Sequence, residues 1–479
     1  MKSDIIIIGG GASGLMAAWS AASKLVADGS PAQVTVLEKM PRPARKIMIT
    51  GKGRCNFSNI KAWNEFSAHI RSKADFLRPA FYNFSPEDCL KFFEDAGMPT
   101  VVERGDRAFP SSHRASDVVD ALVRACNGLG VKIETEASVA SVAAADGGFR
   151  IELENGGVWT CRRLILATGG LSYPNTGSTG DGYRFAESLG HHVTPLFPSL
   201  TALVPRGYKI TLAANSLNDS TLSDSFYPGN GTEGLAQVAD SQRFIRQRSL
   251  PLSELGEKLN GVKLKNVGLR LIIESSEAGN EFGDLDFTDG GIEGPIGFQL
   301  SRKAVKALMN GSRVELSLDL KPAVPLDELT ANVKALWAEV DRDPRSKRLH
   351  EKEKCRILLG KLMPWDLIPG FTACNPDIIT LERRGRTDTK VWVNLPTIAK
   401  CLKDWQFKIE GYVGYERAVV TAGGVSLDEV LRKTLESRLV PGLYFCGELL
   451  DLDCDTGGYN LQTAFCTGSL AGLSVASTL

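Results

Sequence analysis

The sequence contains no long hydrophobic run and no excess of either charge. No stretch approaches the ~18 consecutive apolar residues that a membrane-spanning helix needs, so we expect no membrane partner. Lysine plus arginine (56) equals aspartate plus glutamate (56), and no global field therefore attracts nucleic acid or an anionic membrane surface. These two absences argue against a dedicated DNA-binding protein and against a membrane protein.

Closely spaced cysteines and metal-binding patterns are also absent. The ten cysteines are scattered without a CxxC pair, and nothing near the first residue resembles an export signal. Scattered thiols without such a signal are typical of the reducing cytoplasm, where we expect this protein to act. His191 and His192 have no further ligands at metal spacing, and there is no Ser/His/Asp nucleophile signature. We expect no metal site.

Glycine, by contrast, is in excess. The chain of 479 residues, long enough for two or three domains, contains 48 glycines, about 10% against a usual ~7%. Glycine is needed where the backbone turns tightly or approaches a ligand closely, so its clusters are candidate binding loops. The clusters lie at 9–14, 51–53, 169–182, 423–424 and 457–458.

The first forty residues predict one βαβ unit. Residues 4–8 form a β-branched run typical of a buried parallel strand, and residues 15–26 form an uninterrupted helical segment. Residues 33–37 (QVTVL) predict a second strand. A parallel strand pair with a helical crossover is the first half of a nucleotide-binding fold.

The turn inside this unit, GGGASG (9–14), has the dinucleotide-binding pattern. Gly9 permits the tight turn, Gly11 lets the backbone approach a pyrophosphate, and Gly14 lets the helix pack against the sheet. Glu38 closes the second strand 24 residues after Gly14, near the usual ~20, where a carboxylate can accept both ribose hydroxyls. The alternative is a glycine turn followed by an exposed glutamate. A carboxylate here disfavours a 2′-phosphate, so FAD or NAD is favoured over NADP.

Beyond this unit the pattern changes three times. Residues 40–190 mix helices and short strands, and residues 195–320 predict mainly strands, with a polar surface loop at 213–245. Residues 326–361 predict a charged, solvent-facing helical cap whose mixed charges fit a solvated face better than a nucleic-acid patch. After about residue 416 a glycine-rich α/β pattern returns. Further helices are predicted at 86–96 and 116–129, and strands at 131–134, 149–153, 164–167, 263–274 and 313–318.

The far end of the chain decides between FAD and NAD. Residues 441–468 predict a strand, a Gly-Glu turn, three aspartates, a Gly-Gly pair and a helix from about residue 460. NAD alone does not need such a second site. A flavin does, because its ribityl hydroxyls need a carboxylate acceptor and its reduced N1/O2 edge favours the positive end of a helix. LILATGG (164–170) adds a strand that ends where a β excursion rejoins the sheet. The sequence therefore favours FAD.

Seven motifs spread along the chain carry a resemblance to a known family. They are GGGASG, GKGRCNFSN (51–59), GDRAFPSSHRASDV (105–118), ATGGLSYPNTGSTGDGY (167–183), FTDGGIEGP (287–295), VVTAGGV (419–425) and CGELLDLDCDTGGYNLQTAF (446–465). Over essentially the whole chain they resemble the BaiN-like bacterial FAD-dependent flavoproteins, and GRCN and TGGYN together are the specific part of this resemblance. The resemblance implies an NAD(P)/FAD-dependent oxidoreductase whose glutathione-reductase-type FAD domain, βαβ with a β-meander, is interrupted by a β-barrel-like domain with a small helical subdomain.

The fold class predicted is therefore α/β, with a Rossmann-type FAD-binding domain and an insertion. Two features depart from the family pattern: the polar segment 213–245, interpreted as an insertion, and Glu293, where the family usually has serine before GP. Both lie in the predicted substrate domain and so bear on the identity of the substrate. The predicted domains are 1–194 with 416–479 for FAD, 195–320 with 371–415 for the β-rich insertion, and 321–370 for the helical subdomain.

Candidate cofactor-binding residues follow from the resemblance and from the motifs. The resemblance places Gly9, Gly11, Ala12, Ser13, Gly14, Glu38, Lys39, Arg54, Asn56, Gly169, Gly170, Gly447, Glu448, Gly458, Tyr459, Asn460 and Leu461 at FAD-contacting positions. The motifs themselves add Lys46, Cys55, Thr168, Asp453 and Gly457.

Arg54, Tyr173 and Tyr459 are the candidate catalytic residues. Lys46, Lys52 and Arg54 bring positive charge to one loop, which would stabilise a reduced flavin or an anionic substrate; solvated or pyrophosphate-facing cations are the alternative. Tyr173 and Tyr459 flank flavin motifs and could donate a proton, although a structural aromatic is the stronger alternative for each.

Two neighbouring motifs hold residues of ambiguous role. Cys55 has no partner cysteine four or five residues on, so a redox-active disulfide is excluded and a packed, inert thiol is the better interpretation. His113 could belong to an active-site wall with Arg107 and Arg114. A helix start capped by the two serines before His113 explains it equally well.

We predict an FAD-dependent oxidoreductase that reduces a small molecule. NADH or NADPH visits the flavin transiently, because no second GxGxxG follows a predicted strand and opens a predicted helix, and hydride then passes from flavin N5 to an activated C=C or a related acceptor. One alternative is an amine or hydroxy-acid oxidase that uses oxygen. The other is a flavin-dependent RNA-modifying protein, against which the balanced charge argues, so we expect no nucleic-acid partner.

Overall fold

The computed structural model describes residues 1–210, 251–384 and 388–479. The segment 213–245, predicted as a surface loop, lies outside the described residues. The chain forms two compact units, and the second unit interrupts the sequence of the first. The first unit comprises Met1–Ser199 and Tyr415–Leu479, and the second comprises Leu200–Gly414.

Both units contain strands and helices. The strands are β1 (Lys2–Ile8), β2 (Val34–Leu37), β3 (Ser58–Asn59), β4 (Thr100–Glu103), β5 (Arg107–Pro110), β6 (Lys132–Glu134), β7 (Val139–Ala145), β8 (Gly148–Leu153), β9 (Val158–Leu166), β10 (Phe197–Ser199), β11 (Leu203–Pro205), β12 (Lys263–Ile273), β13 (Ser276–Thr288), β14 (Gly291–Glu293), β15 (Val314–Asp319), β16 (Ile379–Arg384), β17 (Asp388–Val393), β18 (Trp405–Tyr412), β19 (Val420–Ala422) and β20 (Leu443–Phe445). The helices are α1 (Ala12–Ala27), α2 (Trp63–Phe66), α3 (Ala74–Asn83), α4 (Pro86–Asp95), α5 (Ala115–Gly128), α6 (Asp181–Ser188), α7 (Glu254–Leu259), α8 (Gly294–Met309), α9 (Leu326–Arg342), α10 (Glu351–Leu362), α11 (Ile368–Cys374), α12 (Leu395–Lys403) and α13 (Tyr459–Ala476).

The first unit is built on a seven-stranded sheet in the order β6-β2-β1-β9-β8-β7, with β20 also paired to β9. β6, β2, β1, β9 and β20 are mutually parallel, whereas β7 and β8 form an antiparallel meander that joins β9. β1 lies between β2 and β9, and its isoleucines at 5–8 are buried as expected of a central strand. The Rossmann-type α/β fold that the sequence predicts is confirmed.

The C-terminal helix α13 packs against α1, the first helix of the same unit. An added Cβ at Gly468 would lie 2.3 Å from the carbonyl oxygen of Ser13, and one at Gly472 would lie 2.2 Å from that of Ala17. Glycines on α13 thus let the two backbones approach closely. The last helix therefore completes the layer that the first helix begins.

The second unit is built around a closed antiparallel barrel in the order β11-β14-β13-β12-β15-β18. Leu269, Leu271, Leu316 and Leu318 alternate along two adjacent strands and are fully buried, as expected of an inward-facing barrel row. Helices α7 to α12 and the hairpin of β16 and β17 complete the described part of this unit.

Most predicted elements lie within a few residues of those observed, but the segment 326–361 differs. It contains two helices, α9 and α10, separated by turns at residues 343–350. Pro344 lies in this break, and proline cannot donate the backbone hydrogen bond that a continuing helix needs. In the part of the chain that the structure describes, no helix is both long and apolar enough to cross a membrane.

Candidate functional site

The predicted pyrophosphate loop joins β1 to α1 and has an open face at Gly11. Gly9 has φ +106°, and a Cβ there would lie 2.5 Å from the carbonyl oxygen of Ala167. A Cβ at Gly14 would lie 1.9 Å from the oxygen of Gly9, whereas one at Gly11 meets no atom within 4 Å. Gly11 is also the N-cap of α1 and has no side chain that could cap it. The turn is thus fixed by close contacts on one side and open to a phosphate on the other.

Glu38 lies directly after β2 and faces this loop. Its carboxylate accepts hydrogen bonds from the backbone N–H of Gly10 at 2.8 Å and of Met40 at 2.7 Å. Burial raises the pKa of Glu38, although the two N–H groups partly oppose that shift. Only 8% of the residue is exposed, so the alternative of an exposed glutamate does not describe this position. Lys39, next along the chain, lies 2.6 Å from Asp181 and is paired within the unit.

The Gly-Glu turn after β20 carries a second, half-buried carboxylate, Glu448. It accepts hydrogen bonds from Lys46 Nζ (2.9 Å), Ser172 Oγ (2.8 Å) and the backbone N–H of Thr421 (2.8 Å). Burial favours the neutral acid, but Lys46 and these hydrogen bonds outweigh it and hold the pKa of Glu448 below its usual value. The ion pair therefore connects two residues that are both predicted to bind the cofactor.

The same turn contacts the start of α1. A Cβ at Gly447, whose φ is +73°, would lie 2.3 Å from Ser13 Oγ. Gly170, in the motif that follows β9, is crowded as well, since a Cβ there would lie 2.5 Å from Thr421 Oγ1. The structure thus brings predicted cofactor residues from three separate motifs together at the end of the parallel strands.

The GRCN and TGGYN motifs also meet. Gly457 and Gly458 have φ +121° and +97°, and a Cβ at Gly458 would lie 2.3 Å from the carbonyl oxygen of Ser58. Asn56 Oδ1 is buried here and accepts no hydrogen bond from any described atom. A buried acceptor without a donor needs a ligand or a water to satisfy it. The open face at Gly11, the buried Glu38 carboxylate and this acceptor together fit an elongated dinucleotide such as FAD.

The remaining predicted cofactor positions border these contacts. Asp453 is 1% exposed and accepts a hydrogen bond from Ser199 Oγ at 3.2 Å. Asn460 binds the backbone beside it, accepting from the N–H of Cys454 at 2.9 Å, and so holds the loop that precedes α13. Ala12 begins α1, Leu461 lies in the first turn of α13, and Thr168 and Gly169 follow β9.

The three cations of the 46–54 loop have different surroundings. Lys46 pairs with Glu448, and Lys52 is exposed. The Arg54 guanidinium contacts Glu103, lies 3.0 Å from His113 Nδ1 and stands 4.5 Å over the ring of Phe109. The loop therefore does not present one shared cluster of positive charge.

The structure shows the surroundings of Cys55 and His113, the two residues of ambiguous role. Cys55 is fully buried, and burial raises the pKa of its thiol to about 12, so the thiol stays protonated near neutral pH. His113 Nδ1 contacts Arg54, and its place in a wall with Arg107 and Arg114 stays a prediction. The helix start does not rest on a serine N-cap, because α5 begins at Ala115 with Arg114 as its uncapped N-cap.

The two candidate tyrosines lie in different environments. Tyr173 has φ +53° and donates its backbone N–H to the carbonyl of Tyr415 at 2.8 Å. Tyr459, the first residue of α13, is 4% exposed and packs its ring against His69 and Phe66. Burial raises the pKa of Tyr459 to about 12, so its hydroxyl is protonated under ordinary conditions.

Several residues of this region have no signal in the sequence. Ser172 and Thr421 bind Glu448, yet they lie far from it in the chain and belong to motifs quoted for other reasons. His69 and Arg71 contact Asp455 from a segment outside all the motifs. Only the folded chain shows these pairings.

Metal and disulfide chemistry find no support in the described residues. No group of three or more His, Cys, Asp or Glu side chains there could hold a metal ion. All ten cysteines lie within those residues, and each is a free thiol.

A parallel sheet with a glycine turn at its first helix and a buried carboxylate after the second strand is typical of Rossmann-type dinucleotide-binding proteins, a class that includes the flavin-dependent oxidoreductases. A family model described as the HI0933-like protein Rossmann domain matches residues 3–474. The chain belongs to this family, and the resemblance noted from its motifs is confirmed.

Curated relatives match over almost their whole length. The 3-dehydro-bile acid delta(4,6)-reductase of Clostridium scindens is 30% identical, covering 98% of this chain and 98% of the relative. The ribosomal RNA dihydrouridine synthase of Escherichia coli is 28% identical, covering 96% of this chain and 95% of the relative. Among solved structures, the 3-ketosteroid delta1-dehydrogenase of Sterolibacterium denitrificans aligns over all of both chains with 12% identity and a TM-score of 0.47. The chain is an FAD-dependent oxidoreductase with FAD as its cofactor.

Proposed function

We propose that the protein is an NAD(P)H-dependent reductase that adds hydrogen across an activated carbon–carbon double bond of a small molecule. The observation that carries this proposal is the pair of relatives named delta(4,6)-reductase and dihydrouridine synthase. Both names describe the saturation of a double bond conjugated to a carbonyl group. The chain covers 95% or more of each, so the whole architecture is shared.

The first unit supplies the groups that we assign to the cofactor, and residues 1–194 with 416–479 form its proposed domain. The N-terminus of α1 and Gly11 hold the pyrophosphate, and Glu38 accepts hydrogen bonds from the ribose. The N-terminus of α13 offers a positive end to the flavin edge that becomes anionic. When bound, FAD accepts a hydride from one partner and returns it to the other. The chain's own residues exclude water, orient both partners and supply the proton.

The proposed hydride donor is a nicotinamide dinucleotide, for which the protein has no separate dinucleotide-binding domain. Only the GxGxxG at 9–14 follows a predicted strand and opens a predicted helix, and the FAD site uses it, so NADH or NADPH must bind transiently and leave. This order of events makes a two-step reaction in which the donor and the acceptor need not be bound together.

Anaerobic mixing tests the proposal. The purified holoprotein is mixed with NADH and separately with NADPH, and we expect the visible flavin absorbance to bleach with at least one of them on the steady-state timescale. A 3-oxo-4,6-diene steroid acid is then added, and we expect the absorbance to return. Absence of bleaching with both nucleotides would overturn the reductase proposal. Hydrogen peroxide release with amines or hydroxy acids, and none with NAD(P)H, would instead support the oxidase.

The dihydrouridine synthase relatives favour a second candidate, in which the double bond belongs to a uridine of ribosomal RNA. Two such relatives, from Escherichia coli and Haemophilus influenzae, are each 28% identical to this chain. The balanced charge of 56 cationic and 56 acidic residues argues against tight RNA binding. An unmodified ribosomal RNA transcript provides the test. Reoxidation of the reduced enzyme by this transcript but not by the steroid acid, with retention of RNA at ~50 mM salt, would favour the RNA substrate.

A further inference from the structure

A histidine and a buried carboxylate form a pair at the start of α13. His69 Nδ1 lies 3.0 Å from Asp455 Oδ2. The side chain of Asp455 is 2% exposed, whereas that of His69 is 30% exposed. The His69 ring stacks on the ring of Tyr459, with 4.2 Å between centroids and 19° between planes. The imidazole therefore lies against a residue that we assign to the flavin site.

The surrounding contacts fix the orientation of the imidazole. Arg71 Nε donates to Asp455 Oδ1 at 2.5 Å, and the other carboxylate oxygen also contacts the guanidinium. The backbone N–H of Asp455 donates to the carbonyl of His69 at 2.9 Å, and Ile70 forms a β-bridge with Cys454. An ionised carboxylate can only accept, so Nδ1 of the neutral imidazole must carry the hydrogen. The Nε2 atom is then the ring nitrogen that the carboxylate does not engage.

A purely structural role does not explain this histidine well. Arg71 alone balances the charge of Asp455 and satisfies oxygens on both sides of the carboxylate. A half-buried imidazole that is oriented by a buried carboxylate, with one nitrogen left over, is instead the arrangement that proton transfer requires.

We propose that His69 is the proton donor in the reduction of the double bond and that Asp455 is its positioning residue. This inference rests on the function proposed above. NAD(P)H, oxidised to NAD(P)⁺, supplies the hydride that bonds to one carbon of the double bond. The electron pair left on the neighbouring carbon takes the proton from Nε2 of the His69 imidazolium. The imidazole becomes neutral and regains a proton from water, to which its side chain is 30% exposed.

Tyr459, the other proton donor considered at this place, is less suited. Its residue is 4% exposed, and burial raises its pKa to about 12. A tyrosinate formed there would be costly and slow to recover its proton from solvent. Its aromatic ring instead supports the imidazole by stacking.

The test uses the holoenzyme and its two half-reactions. In His69→Asn the side-chain amide can still donate to Asp455 but cannot deliver a proton. We expect unchanged FAD content, unchanged melting temperature and unchanged flavin bleaching by NAD(P)H, with reoxidation by the 3-oxo-4,6-diene steroid acid or the RNA transcript slowed about 100-fold or more. His192→Asn, at an exposed histidine of the same unit, is the matched control and should reoxidise at the wild-type rate.

A second measurement does not depend on activity. Ring ¹⁵N resonances of His69, assigned by their loss in His69→Asn, should show the Nδ1–H form of the neutral imidazole. The Nε2–H form, or wild-type reoxidation of His69→Asn, would overturn the proton-donor role while leaving the reductase intact. Failure of the wild-type enzyme to be bleached by NAD(P)H, or to be reoxidised by either probe, would overturn the proposed function itself.

Discussion

Replacement of Lys46 by methionine removes the cation that keeps Glu448 ionised. The Lys46 and Glu448 side chains retain 25% and 20% of their exposure, so the pair is largely but not fully desolvated. Breaking a fully buried pair costs about 3–5 kcal/mol, because the remaining charge has no partner. The residual exposure and the two hydrogen bonds that Glu448 keeps, from Ser172 and Thr421, lower this cost to about 2–3 kcal/mol.

The loss should depend on pH in a defined direction. In the wild-type protein the pKa of Glu448 is held low, so its stabilising contribution is present above the unfolded pKa and is lost as the pH falls through the folded value. Without Lys46, burial dominates and the pKa of Glu448 rises above its usual value. The unfolding free energy of the variant is then lowered at neutral pH, because Glu448 is ionised without its cation, and it rises again as the carboxylate takes up a proton. The difference in unfolding free energy should therefore shrink between about pH 7.5 and about pH 5.

Urea unfolding of the holoprotein with saturating FAD measures this difference. In a thermal melt, about 2–3 kcal/mol corresponds to a fall of roughly 4–12 °C in Tm for a unit of this size. The double variant Lys46→Met with Glu448→Gln is the matched control, because it removes the unpaired charge. It should be more stable than Lys46→Met at about pH 7.5. Equal stability of these two variants would refute the assignment of an ion pair between Lys46 and Glu448. A difference in unfolding free energy between the wild type and Lys46→Met that grows on acidification would refute it as well.

Two further predictions concern the glycine loop and the thiols. Gly14→Ala places a Cβ 1.9 Å from the oxygen of Gly9 and should lower the unfolding free energy by about 2–3 kcal/mol. Gly11→Ala adds a Cβ with no atom within 4 Å, so the stability of the apoprotein should be unchanged. The same variant should weaken FAD binding in a fluorescence titration. Unchanged FAD affinity in Gly11→Ala would contradict the pyrophosphate assignment. Because all thiols except those of Cys374 and Cys401 are buried, at most two of the ten should react rapidly with a disulfide reagent in the native protein; rapid labelling of a third would contradict this packing.

Local patterns predicted the frame of the fold, because a strand, a glycine turn and a helix are each encoded within a few residues. Glu38 could be predicted for the same reason, since a fixed spacing from Gly14 places it at the end of β2. The partners of Glu448 could not, because Ser172 lies 276 residues away in the chain and Thr421 makes its contact through a backbone N–H that carries no side-chain signal. The break between α9 and α10 was missed because the charge pattern continues through it.

The pairing of charges explains how one site can hold several buried carboxylates and still favour an anionic ligand. Glu448 is balanced by Lys46, Asp455 by Arg71 and Glu38 by two backbone N–H groups. Glu448 and Asp455 are thus each paired with a cation of their own, and Glu38 is held by uncharged donors. In the proposed site, the positive ends of α1 and α13 therefore serve the pyrophosphate and a negatively charged reduced flavin.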